Sequence, residues 1–192
     1  MPSLTANLSR DIALCNKPLK SSGALIIQGD NEESLPMDLL MILDMSGSMQ
    51  GEGENILRET VIFTLDNLMR PDDRLAIITF SSGASVHSDW MGPDGSPSGF
   101  NASGGTNFGA AIKEALSFLG SRGNDPSRAG IALFLSDGHG QAANDDKVRT
   151  ITEFGFTMHT MGVTSGAQPL HLQNMAELAK GNYFDAPSFN DV

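Results

Sequence analysis

The 192-residue sequence contains one cysteine, Cys15. That excludes an internal disulfide and a zinc centre built on several cysteines, so the fold must stand on its apolar core, with the thiol read as buried or spare. Basic residues are also scarce: 12 Lys and Arg stand against 23 Asp and Glu, for a net charge of −11. This excludes a phosphate-backbone binder, because nucleic-acid affinity comes largely from Lys and Arg that neutralise phosphates. It suits a protein whose field attracts cations. No apolar run approaches the length of a membrane span, and the N-terminus shows neither a basic n-region nor a long apolar h-region. A cytoplasmic protein without signal peptide or transmembrane segment is therefore expected.

The length suits one domain with a sizeable core. Residues 1–36 are rich in Ser, Asn and Pro and read as an N-terminal arm, with one short apolar run, Gly23 to Gln28, expected to add an edge strand. From residue 37 to 192 the pattern is that of a folded domain. Strands are predicted at Leu39–Leu43, Leu75–Phe80, Ile131–Leu135, Phe156–Val163 and around Tyr183 and Phe184. Three of them lack polar alternation, as strands covered on both faces should. Helical spacing links Leu57, Val61, Thr64, Leu65 and Leu68 before Pro71, and again Phe108, Ile112, Ala115, Leu116 and Leu119. Shorter helices are marked by Val148 and Ile151, and by Leu172, Met175, Ala176 and Ala179. Strands alternating with helices predict a doubly wound α/β fold: a mainly parallel central sheet, helices on both faces and one short antiparallel edge.

In such sheets ligands bind at the carboxyl ends of the strands, and polar residues gather there. The first strand runs into "LDMSGSM", with Asp44, Ser46 and Ser48 at alternate positions; "ALFLSDG" ends in Ser136 and Asp137; "GGTNFG" sets Thr106 just before a helix. Taken alone, Asp and Ser at this spacing suit turn chemistry, a nucleophile elbow or half of a metal site. Two carboxylates and three hydroxyls, completed by water, meet the demand of Mg²⁺ for about six oxygens.

These motifs resemble the von Willebrand factor type A domain, whose metal-ion-dependent adhesion site carries Asp-x-Ser-x-Ser in a first loop, Thr in a second and Asp in a third. Asp44, Ser46 and Ser48 match the first loop, Thr106 the second and Asp137 the third, so all five positions are filled over a resemblance running from about Met37 to Asp185. The resemblance implies a Rossmann-like fold and a bound Mg²⁺, with Mn²⁺ or Ca²⁺ as substitutes. The serines and threonine would touch the metal, and the aspartates would act largely through water. It further implies a non-enzymatic protein-binding or adhesion role, in which the metal takes an Asp or Glu carboxylate of a partner. Met49, Glu52, Asn107 and His139 are the residues expected on the rim that meets this partner.

Two departures shape further expectations. Many relatives place a helix before the Thr loop, whereas Trp90 to Gly105 here is Gly/Pro/Ser-rich and predicts an irregular loop with a reshaped rim. Relatives also continue into a C-terminal helix, whereas this sequence stops at Val192, just past the last strand; the helix-driven switch of integrin-like members is not carried over, and a longer parent chain or a helix supplied by another chain is the alternative. A scaffold with a purely structural metal and partners on its helices or arm is the alternative function, and a Mg²⁺-dependent phosphohydrolase a remote one. A dehalogenase-like phosphotransferase would need an acid where Ser46 stands, a serine hydrolase Gly-x-Ser-x-Gly, and a nucleotide site a glycine fingerprint after a strand. His159 reads as a hydrogen-bonded core residue, Asp145 and Asp146 as a helix start, and the methionines as core filler.

Overall fold

The computed structural model describes residues 12–14, 25–27, 35–122, 125–164 and 166–186. Most of the expected arm, Cys15 and the segment beyond Ala186 lie outside the described residues. Within the arm, strands β1 (Ile12–Leu14) and β2 (Leu25–Ile27) pair antiparallel, Ile12 opposite Ile27, as a two-stranded sheet of their own. The apolar run at Gly23 to Gln28 therefore does not extend the main sheet. Its three strand residues pair with a near neighbour in sequence, where loop closure is cheapest.

Then follow β3 (Met37–Asp44), α1 (Glu52–Phe63), β4 (Arg74–Phe80), β5 (Ala84–Met91), α2 (Phe108–Arg122), β6 (Ala129–Ser136), α3 (Asp145–Glu153), β7 (Phe156–Val163), α4 (Pro169–Leu178) and β8 (Lys180–Ala186). Six of the strands form one sheet in the order β5-β4-β3-β6-β7-β8, parallel throughout except for the β4–β5 hairpin. This is the doubly wound, mainly parallel sheet the sequence implies. The central position of β3 explains why all eight of its residues are buried. Met37, Leu39, Met41 and Leu43 point to the face that packs Ile56, Leu57 and Val61 of α1, and Leu40 and Ile42 to the face packing α2, α3 and α4. Successive residues thus reach opposite helical layers, and residues two apart the same one.

Strand β5 has no counterpart among the predicted strands, and Trp90 and Met91, expected in the irregular loop, are its last residues. As an edge strand it is mostly half-exposed and polar, so it lacks the apolar run that marks its neighbours. Helix α1 continues as a π turn over Thr64–Leu68. Thr60 Oγ donates to the Ile56 carbonyl and Thr64 Oγ to that of Thr60, both at 2.7 Å, which loosens the helical ladder there. No helix among the described residues is long and apolar enough to cross a membrane.

At the amino end of the sheet, a buried carboxylate ties three segments together. Asp38 accepts from Arg74 Nε at 2.9 Å and Nη2 at 2.6 Å, and from Arg128 Nε, while Arg128 Nη2 also donates to the carbonyls of Met37 and Asp72. Asp38→Ala strands two guanidinium groups. It is expected to lower stability by about 2–3 kcal/mol, less than for a fully enclosed pair because Arg74 stays open to solvent. A denaturant midpoint equal to that of the wild type would show that the cluster contributes nothing.

His159 on β7 is 7 % exposed, its Nδ1 accepts from the Asn182 N–H at 3.1 Å, and its ring stacks on Phe184. Burial lowers its pKa below the ordinary 6.5, so the folded state holds it neutral. A histidine of depressed pKa contributes stability that is complete above the unfolded value and is lost as pH falls from there through the lower folded value. Melting temperature should therefore drop below about pH 6.5, and His159→Gln should flatten that drop; identical pH profiles would refute the assignment.

Candidate metal centre

Three loops meet at the carboxyl end of β3, β4 and β6. The first leaves β3 at Asp44, whose side chain is fully buried. Its Oδ1 accepts from the Ser46 N–H at 2.9 Å, turning the chain back over the carboxylate, and its Oδ2 accepts from Ser136 Oγ at 2.5 Å. The parallel register explains the second bond: Leu43 lies beside Leu135, so Asp44 and Ser136 are adjacent as β3 and β6 end. A short 3₁₀ turn over Gly47–Met49 then brings Ser46 Oγ and Ser48 Oγ to 3.1 Å from one another.

The second loop is stitched to the first and to the β4–β5 hairpin. Ser103 N–H donates to the Met45 carbonyl at 2.7 Å, Gly47 N–H to that of Gly104 at 2.9 Å, and Gly105 N–H to Ser82 Oγ at 2.9 Å. Gly104 sits at φ +84°, the left-handed region that glycine adopts without cost. Thr106 follows, half-exposed, and Asn107 caps α2 by accepting from the Ala110 N–H at 3.0 Å. Beneath them Phe108 meets Phe80 and Phe134 edge-on, with ring centroids 5.9 and 5.3 Å away, and so anchors the start of α2 on the sheet.

The third loop carries Asp137, 3 % exposed. Asp137 Oδ1 accepts from the His139 N–H at 3.0 Å, Ser136 Oγ accepts from the Gly138 N–H at 2.9 Å, and the Asp137 carbonyl accepts from the Gln168 N–H at 2.8 Å. Gly140 packs so closely on Phe108 and the Thr106 methyl that a side chain there would fall within 3 Å of both. The second and third loops are locked together in this way.

Burial pushes the Asp44 carboxyl above its ordinary pKa, against the hydrogen bonds from Ser136 and Ser46, and the charge of Asp137 adds to the rise. Two carboxylates thus form the floor, with Ser46 nearly enclosed, Thr106 half-exposed and Ser48 open. Among the described residues no three His, Cys, Asp or Glu side chains gather as a metal site. The donors here are carboxylate and hydroxyl oxygens, which suit a hard divalent cation. A cation would offset the charge that burial penalises, so the residues present fit the group.

Of the rim residues expected, Glu52, Asn107 and His139 are exposed around the loops. Met49 is a correction: it is fully buried, against Gly53 of α1, and offers nothing to a partner. The 3₁₀ turn points its side chain into the apolar layer beneath the loop. Sequence reading missed Ser136 as the residue that orients Asp44, although its place directly before Asp137 at a strand end was a visible signal. It also missed Ser81 and Ser82, whose tie to the second loop depends on a hairpin that the sequence did not reveal.

Gly138 has φ +76°, and a Cβ on it would lie 2.0 Å from the Gln168 carbonyl oxygen. Gly138→Ala should therefore destabilise the protein by about 1–3 kcal/mol. Gly92→Ala, where a Cβ meets open space, should leave it unchanged. Equal melting temperatures for the two variants would contradict this packing.

The von Willebrand factor type A domain model matches residues 38–192. An uncharacterized protein of Synechocystis is 27 % identical over 171 residues, 83 % of this chain and 40 % of the relative. Inter-alpha-trypsin inhibitor heavy chain H4 of Bos taurus is 31 % identical over 99 residues, 47 % of this chain and 11 % of the relative. The chain thus spans less than half the length of either relative. Among solved structures, a von Willebrand factor type A protein from Catenulispora acidiphila superposes with a TM-score of 0.67 at 19 % identity, covering 81 % of this chain and 40 % of that one. Proximal thread matrix protein 1 of the mussel byssus, with a zinc-occupied adhesion-site motif, gives 0.63 at 17 % identity over 82 % of this chain and 45 % of that one. With the family model matching most of its length, the chain belongs to the von Willebrand factor type A domain family.

Proposed function

We propose that this domain is a non-enzymatic, divalent-cation-dependent protein-binding module. Asp44, Ser46, Ser48, Thr106 and Asp137 would hold Mg²⁺, or Mn²⁺ or Ca²⁺ in its place, and a carboxylate of a partner would complete the coordination. The observation that carries the reading is the pair of serine hydroxyls 3.1 Å apart beside a carboxylate fully withdrawn from water. When bound, the cation supplies a Lewis-acidic positive centre for an oxygen ligand. The protein's own contribution is to hold the hydroxyl oxygens in place, keep two carboxylates beneath them and leave the Ser48 side open. Zinc in the mussel protein's motif supports occupancy by more than one divalent cation, while the oxygen-only donor set here favours Mg²⁺ or Mn²⁺. With a net charge of −11, the domain repels acidic surfaces. The partner should therefore present its Asp or Glu within a neutral or basic surround.

The test compares the melting of wild type and Asp44→Asn in chelator and in millimolar Mg²⁺ or Mn²⁺. In chelator the asparagine variant should melt as high as wild type or higher, because it carries no buried charge. With cation at about a hundred times its dissociation constant, wild type should gain roughly 2.7 kcal/mol, read as a rise of several degrees, and the variant should gain almost nothing. Equal responses of the two proteins would place the cation elsewhere. Partner capture that survives chelation would favour a scaffold with its binding surface on the helices or the arm.

A further inference from the structure

A pocket of about 290 Å³ lies at the same end of the sheet, between the β4–β5 hairpin and the loop leading to Thr106. Met45, Ser81, Ser85, His87, Phe100 and Asn101 are among its walls. It shares a wall with the metal loop, since Met45 stands between Asp44 and Ser46. It also shares one with the Thr106 loop, through Phe100 and Asn101. Because Met45 belongs to both the metal loop and the pocket wall, an extended peptide with one carboxylate at the metal loop, advancing about 3.3–3.6 Å per residue, would bring a nearby side chain to this opening.

The wall chemistry restricts what enters. Among the described residues no Asp, Glu, Lys or Arg side chain lines the pocket, so a side chain of either charge would lose water there without gaining an ion pair, and an acidic one is also opposed by the field of an acidic protein. An apolar side chain would strip water from the hydroxyls of Ser81 and Ser85, the Asn101 amide and the His87 ring without replacing it. His87 stacks on Phe100 at 4.6 Å between centroids, offering a flat apolar wall with a polar edge. Among the described residues, the side chains of Ser81, Ser85 and His87 have no hydrogen-bond partner within the protein, which leaves them available to a ligand. An uncharged side chain bearing both donor and acceptor, with a short apolar stem to lie along Phe100, satisfies these walls.

We infer that the pocket is a second recognition site that receives an Asn or Gln side chain of the partner, one or two residues from the carboxylate at the metal. The inference rests on the metal-bridge reading above. Its consequence is that the partner motif is a short pair, acidic residue and carboxamide, rather than an acid alone. The Gly/Pro/Ser-rich loop before Thr106 forms the second wall through Gly99, Phe100 and Asn101, so the selectivity belongs to this loop.

The test is an array of immobilised hexapeptides with a fixed Asp and varied neighbours, probed with the full chain in millimolar Mg²⁺ and again in chelator. Wild type should retain peptides with Asn or Gln near the Asp about tenfold better than their Ala, Lys or Glu counterparts. Ser85→Trp, on the exposed edge strand, fills the pocket, and His87→Ala removes one polar wall. Both should keep the Mg²⁺-induced rise in melting temperature and Mg²⁺-dependent retention of Asp peptides, but lose the carboxamide preference. Mg²⁺-dependent retention with no preference in wild type, or a preference undiminished in both variants, overturns the second site and leaves the metal bridge standing. Absence of Mg²⁺-dependent retention of any peptide overturns both.

Discussion

Asp44 ends the central strand with its carboxylate wholly out of water, accepting from Ser136 on the neighbouring strand and from the backbone of its own loop. Removing a carboxylate from water costs several kcal/mol unless hydrogen bonds or a counter-charge offset it. Two hydrogen bonds provide a partial offset, and the proximity of Asp137 works against it. The arrangement of the carboxyl end of the sheet follows from this imbalance. Hydroxyls are presented rather than further acids, no Lys or Arg among the described residues pairs with the two carboxylates, His139 Nδ1 stands 3.4 Å from Asp137 Oδ1, and the Ser48 side remains open.

The site is held by contacts between loops as well as by the hydrogen bonds within them. The first loop is bonded to the second through Met45 and Gly47, the second packs against the third where Gly140 admits no side chain, and the third returns to the first through Ser136. Each loop is anchored to a strand or helix whose place is set by the apolar layers, most visibly where Phe80, Phe108 and Phe134 cluster under α2. A site assembled this way keeps its geometry before any ligand arrives, which lowers the ordering cost of binding. At the opposite end of the sheet the buried carboxylate of Asp38 is offset by two arginines.

Legibility in the sequence followed burial. The strands covered on both faces announce themselves as unbroken apolar runs, and Phe156–Val163 is recovered to the residue. Strand β5 escaped because an edge strand exposes half its side chains, so its composition resembles that of a loop. The run at Gly23 to Gln28 was expected to add an edge strand; its strand Leu25–Ile27 instead pairs with Ile12–Leu14 in a separate sheet, because strand propensity carries no information about pairing. Asp44 and Asp137 at strand ends, and Thr106 just before α2, were legible by position because each borders an apolar run or a helix. Met49 was misassigned because position beside a loop says nothing about the direction of a side chain.

By itself, the sequence determined the alternation of buried strands and amphipathic helices, the excess of acid, and the identity of the residues at the strand ends. These are local properties of spacing and composition, and they suffice for the fold class and the chemistry on offer. Only the tertiary structure decided that Ser136 orients Asp44, that the serine hydroxyls stand 3.1 Å apart, and that a polar pocket opens beside them. Those features depend on the register between strands and on the packing of one loop against another. Both are set by contacts between residues far apart in the chain, for which no local pattern exists.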